Sequence, residues 1–284
     1  MRRIATYLTG MILLLAPAAQ AQVERSVCLE GLLSLQSGNS AEAITQLQTC
    51  LDTEELEPEI EADIHSALGA AYLFEERYGE ALIEINTTFA IAANMQAEIT
   101  DGTLWRNRGI ARSELNMIDP ALDDFQRAAQ LTPNDFMVHL NLGILYQGME
   151  RHTEAVVAFD RVVQLQPGWV GAWLNRSGAL LDAGITAAAV QDARRAVELE
   201  PENGSTLNML CWTLIQDGRA ETALPLCEMA VEAEPDIGAI VHSLATAKDR
   251  LGENREARRL FARAYRLSPE DPEITADYNR THNP

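Results

Sequence analysis

Alanine recurs every 34 residues at Ala121, Ala155, Ala189, Ala223 and Ala257, and proline keeps the same interval at Pro133, Pro167, Pro201, Pro235 and Pro269. Two residue types locked to one period mean a supersecondary unit copied in tandem. Such a unit cannot bury its apolar face alone, so each copy must stack on its neighbours. The usual domain count from length therefore does not apply. Proline closes each copy because it pushes the residue before it out of the helical region.

Within the stretch "HLNLGILYQGMERHTEAVVAFDRVVQLQP", Leu142-Gly143 is followed by Tyr146, then Ala155 and Phe159, then Pro167. This pattern resembles the tetratricopeptide repeat (TPR), two antiparallel helices per unit. The resemblance covers residues 22–271 and implies an all-α, right-handed TPR superhelix (an α-solenoid) of about seven helix-turn-helix repeats. The units fall near 24–57, 62–95, 102–135, 136–169, 170–203, 204–237 and 238–271. The first two lack the closing proline and are read from "HSALGAAY" and from Ala43 and Ala81, with a short insertion, "NMQAEITD", before the third. Trp105 and Trp173 occupy the tryptophan column, as do His65 and His139, where a ring is expected to pack between helices. Gly69, Gly109 and Gly143 let the two helices approach, and Phe125, Phe159 and Phe261 fill the remaining volume. Residues 272–284, "PEITADYNRTHNP", are expected to form a C-terminal capping helix or tail over the last apolar face.

The first residues, "MRRIATYLTGMILLLAPAAQA", place Arg2 and Arg3 before an apolar run that closes on Ala19-Gln20-Ala21. This reads as a secretory signal peptide over residues 1–21, cleaved after Ala21, and the expectation is an exported, periplasmic protein. The run is too short to span a bilayer, and no second long apolar run follows, so membrane insertion is not expected. Cys28 lies too far past the cleavage point to be a lipid-anchoring cysteine. The formal charge is −20, and residues 22–101 carry sixteen acidic residues against Arg25 and Arg77. That surface repels phosphate backbones and argues against nucleic acid. Two readings of it stay open, a solvated face and a docking patch for a basic partner. The oligomeric state is not set by the sequence.

The repeat also places the four cysteines. Cys211 falls in the small-residue column, 34 residues after Ser177, and Cys227 in the facing column, 34 before Phe261. Cys28 stands three before Gly31 and Cys50 three after Leu47, which keeps the facing register of an antiparallel pair. The expected pairs are Cys28 with Cys50 and Cys211 with Cys227, structural bridges suited to an oxidising compartment. A redox centre would want C-x-x-C at an exposed helix start, and zinc would want further Cys or His at ligand spacing. Neither pattern occurs. No G-x-S-x-G, H-E-x-x-H or phosphate-cradling glycine loop is present, so no catalytic residue, metal or cofactor is assigned and no enzyme is expected.

Surface recognition remains. Two residues before the glycine column stand Asn107, Asn141 and Asn175, which at about 100° per residue point away from the partner helix. The TPR resemblance implies that asparagines here bond the backbone of an extended peptide, with a donor and an acceptor on one side chain. The alternative is that they bond a neighbouring helix. Beside them lie Arg106, Ile110, Leu140, Ile144, Leu174, Asn208 and Trp212, more apolar than charged. Lys248 is the single lysine of the chain, so a lysine clamp for a terminal carboxylate is not expected. The expected role is a periplasmic scaffold or adaptor that holds a protein or peptide in this groove, in cell-envelope assembly, cell-wall maintenance or proteolysis. The alternative is a binding protein for a small ligand or glycan.

Overall fold

In the computed structural model, residues 3–4 and 27–282 are described, so the expected signal peptide and its cleavage point lie almost wholly outside them. A two-residue strand β1 (Arg3–Ile4) pairs in parallel with β2 (Glu98–Ile99), and all other regular structure is helical. Two compact units divide the chain, residues 1–145 and 146–284.

The first unit holds α1 (Val27–Gln36), α2 (Ser40–Thr53), α3 (Pro58–Phe74), α4 (Tyr78–Asn94), α5 (Gly102–Glu114), α6 (Ile118–Leu131) and α7 (Phe136–Gly148) as far as Leu145. Partner helices run antiparallel: Cys28 meets Cys50 while Ser34 meets Gln46, so forward on α1 is backward on α2. Close approach depends on the small column. A Cβ on Gly109 would sit 2.7 Å from the Phe125 ring, which is buried against it.

The second unit continues with α8 (His152–Leu165), α9 (Val170–Asp182), α10 (Thr186–Leu199), α11 (Gly204–Gln216), α12 (Ala220–Ala233), α13 (Gly238–Arg250), α14 (Asn254–Leu267) and α15 (Pro272–His282). Ser177, in the small column, turns its hydroxyl on the Ala189 carbonyl at 2.9 Å. Phe159 and Phe261 are fully buried. Pro225 stands inside α12 on its exposed side, and the helix runs on through it. The final helix α15 covers the last pair: Ile274 is buried with Val241 and Ala264, and Tyr278 stacks on Tyr265 at 4.4 Å.

Both expected disulfides are formed, Cys28–Cys50 with Cα atoms 4.9 Å apart and Cys211–Cys227 with Cα atoms 5.2 Å apart. The turn inside each helix pair reverses through one left-handed residue: Gly38, Glu76 and Asn116 in the first unit, Glu150, Gly184, Gly218 and Gly252 in the second, with φ from 55° to 85°.

The tryptophan column does more than pack. Trp105 Nε1 donates to the Ile99 carbonyl at 3.4 Å, Trp173 Nε1 to Pro167 at 2.9 Å and Thr275 Oγ1 to Pro269 at 3.0 Å, each reaching back six residues. His139 Nε2 lies 2.9 Å from the Pro133 carbonyl, which can only accept, so this nitrogen carries the proton. The column thus satisfies a carbonyl where one unit passes into the next. Leu207 and Val241 cannot donate. There Thr206 bonds the Glu200 carbonyl at 2.8 Å, and Arg263 bonds that of Pro235 at 2.5 Å. His65 departs from the pattern and faces Glu84, with Nδ1 2.5 Å from its carboxylate.

Candidate functional site

In the first unit, α5 presents Arg106, Asn107 and Ile110, and α7 presents Leu140, Asn141 and Ile144. All are half-buried except Ile144, which is 53% exposed. Arg106 is held by Asp135, which also accepts from the Met137 amide at the start of α7. In the second unit Leu174 and Asn175 on α9 and Asn208 and Trp212 on α11 are all half-buried. The Trp212 ring lies 5.9 Å from that of His242, whose Nε2 is 2.9 Å from Asp277 on α15.

The asparagines are unengaged by the protein. Asn107 and Asn175 make no side-chain hydrogen bond among the described residues, and Asn141 Nδ2 is buried with no partner. Asn208 Oδ1 is in the same condition. A buried unmatched amide atom costs about 1–3 kcal/mol, which applies to Asn141 Nδ2 and Asn208 Oδ1, whereas the amides of Asn107 and Asn175 are half-exposed and free to bond water or a ligand.

Sequence reasoning missed the buried charges. Arg108 makes a bidentate pair with Asp124 at 2.7 and 3.0 Å, Arg112 adds a contact of 2.7 Å to the same carboxylate, and the Arg108 guanidinium lies 3.5 Å from the Phe89 ring centroid. Two repeats on, Arg176 makes the same bidentate pair with Asp192 and reaches Asp160 at 2.6 Å. Hydrogen bonding to Asp192 holds the Arg176 guanidinium even more firmly protonated than usual. The signal was present in the columns: Arg108 and Arg176 alternate with Leu142, and Asp124 and Asp192 with Ala158. These pairs lie between helices and bind the fold together. Their charges are matched internally.

A cleft of about 400 Å3 in the second unit is lined by Val156, Val157, Leu180 and Ala188 over Asp160, Arg176 and Asp192. Its charged groups face one another and leave only the Gln191 amide unengaged, which is no convergent set for a small ligand. Among the described residues no cluster could hold a metal ion, and no helix is long and apolar enough to cross a membrane. One buried carboxyl stands apart: Asp63 on α3 is pushed up to about 6, first by burial and then by the Asp101 charge, and its Oδ1 has no partner.

Comparison with known proteins gives this geometry a family. Two family models for the tetratricopeptide repeat match, one over residues 163–280 and one over 138–168. A Dictyostelium discoideum protein described as a STIP1 homolog is 21% identical over 109 residues, which are 38% of this chain and only 19% of that relative. Among solved structures, a tetratricopeptide repeat protein from Parabacteroides merdae superposes with a TM-score of 0.65 at 16% identity, covering 92% of this chain and 99% of that one. YrrB, a TPR protein described as having an unusual peptide-binding site, gives 0.52 at 18% identity over 68% of this chain and 97% of its own. With the helix pairs, the small-residue column and the closing prolines in place, the chain belongs to the tetratricopeptide repeat family.

Proposed function

We propose that this chain is an exported, periplasmic scaffold that binds another polypeptide along the first-helix faces of its repeats, without catalytic chemistry of its own. The observation that carries the reading is the asparagine column: Asn107, Asn141 and Asn175 are half-buried, one per repeat, and none is engaged by a hydrogen bond within the protein. An amide side chain matches both backbone groups of an extended peptide. The apolar neighbours Ile110, Leu140, Ile144, Leu174 and Trp212 would contact the peptide's side chains. Membership of a repeat family whose relatives include a protein described by its peptide-binding site supports the same reading. The two arginines before the apolar leader and the two disulfides support export. Within the envelope, roles in assembly, wall maintenance or proteolysis suit such an adaptor.

The test is capture from a cell-envelope extract by the immobilised full chain. Replacing Asn107, Asn141 and Asn175 by Ala removes bonds worth roughly 0.5–1.5 kcal/mol each and should weaken capture at least tenfold at unchanged helicity. Trp212→Ala should weaken it further if the ring is an anchor. A triple variant that folds and captures normally would place recognition elsewhere; one that unfolds would make the asparagines structural.

A further inference from the structure

The charges of this chain are unevenly matched within it. Most arginines are paired: Arg77, Arg106, Arg108, Arg112, Arg151, Arg176 and Arg280 all touch carboxylates, and Lys248 sits among Glu228, Glu253 and Glu256. Arg194 and Arg250 stand unpaired one to a helix, whereas helix α14 gathers several unpaired arginines. Arg255, Arg258, Arg259 and Arg266 are exposed, and none makes an ion pair among the described residues. At about 100° per residue they share one face within an arc of about 100°, and with a rise of 1.5 Å per residue the stripe is roughly 16 Å long.

At the other end of the sequence, residues 52–61, "DTEELEPEIE", carry six carboxylates and no base. They form the end of α2, the extended link from Glu54 to Glu57, and the first turn of α3. Asp52, Glu55 and Glu57 are exposed, and none of the three makes an ion pair among the described residues.

We propose that the arginine face of α14 docks the acidic 52–61 segment of a second copy of this chain. Charge complementarity selects this occupant over others. A bilayer-inserting role needs a free apolar face, and that of α14 is already taken up, with Ala257, Phe261 and Ala264 at 0% exposure. A nucleic acid or an anionic bilayer would confront a molecule of formal charge −20. A local acidic segment on a protein meets the arginines at contact range, where the overall repulsion is screened beyond a Debye length of about 8 Å. Because the two patches differ, the contact is heterologous, and copies add in a row instead of closing as a symmetric pair.

Sedimentation velocity on the full-length protein over a range of concentrations tests this. In about 0.1 M salt the average mass should rise with concentration, and in about 1 M salt, where the Debye length falls to about 3 Å, it should return to that of the monomer. Arg255→Glu, Arg258→Glu and Arg259→Glu together should weaken association at least tenfold, as should Asp52→Lys, Glu55→Lys and Glu57→Lys together. The decisive sample is an equal mixture of the two variants: each alone stays monomeric, yet the mixture should associate, because every reversed patch then meets its complement. Circular dichroism of each variant confirms that the helices persist. A wild-type chain that is monomeric at every concentration, a variant that associates normally, or a mixture that stays monomeric overturns the proposal. So does flotation of the monomer with phosphatidylglycerol vesicles that the arginine variant abolishes, which would assign the face to an anionic membrane surface.

Discussion

Asp192 is almost wholly buried and accepts both bonds of the Arg176 fork. Replacing it by Ala leaves a guanidinium desolvated and two of its three hydrogen bonds unmade, and should cost about 3–5 kcal/mol of stability. The chain itself contains the remedy, since the preceding repeat fills the same two positions with Leu142 and Ala158. Arg176→Leu with Asp192→Ala should therefore recover most of the loss, and urea unfolding of the single and double variants checks it. Asp63 poses the opposite problem. Its folded-state value of about 6 lies above the ordinary 3.8, so the folded chain holds this proton more tightly than the unfolded chain. Stability therefore falls as pH rises from about 4 to about 6 and stays at the lower level beyond. Asp63→Asn should stabilise by roughly 1–3 kcal/mol at about pH 8, with the gain gone near pH 3, as read from melting curves across that range.

Between helices, the turn residue decides the local strain. Asn116 and Glu150 hold the left-handed conformation at φ of 59° and 58°, where the following repeats use Gly184, Gly218 and Gly252. A side chain there crowds the next carbonyl, so Glu150→Gly should stabilise by about 0.5–1 kcal/mol in denaturant titrations, against the usual penalty for adding glycine. The junction between units depends on a donor: Trp173→Phe keeps the ring but leaves the Pro167 carbonyl without it, for a loss of about 1 kcal/mol. Much of this was legible in advance. Helix pairs and cysteine partners follow from columns, because a period of 34 fixes which residues face each other, and the capping helix follows from the need of an open array to cover its last apolar face. The hydrogen-bonding role of the tryptophan column was not, since ring size and ring donor look alike in a sequence until the acceptor is seen six residues back. The Arg176–Asp192 pair escaped because it replaces an apolar pair, and a rule that expects Leu at a buried position hides a matched substitution at two. The asparagine column was legible as a position, and only the structure adds that its amides are unengaged.

At the scale of the molecule, α15 holds the end of the second unit. Removing residues 272–284 uncovers Val241 and Ala264, takes Tyr278 from Tyr265 and leaves His242 without Asp277. The melting temperature should drop by roughly 5 °C or more in calorimetry. An unchanged melt would mean that the last helix rests on the array without supporting it.

The two bridges carry a further consequence, for how the chain reaches this state after it is made. Each cysteine is joined to its nearest cysteine in sequence, across separations of 22 and 16 residues, whereas either alternative pairing would link cysteines more than about 160 residues apart in the sequence. In an unfolded chain, loop closure falls off as about the three-halves power of length, so native encounters outpace wrong ones by roughly twentyfold before any helix has formed. Oxidation thus needs no long search and little reshuffling. Under the export proposed above, a chain that crosses a membrane from its first residue onward would close Cys28–Cys50 while Cys211 and Cys227 have yet to emerge, and the order of emergence would itself protect the pairing.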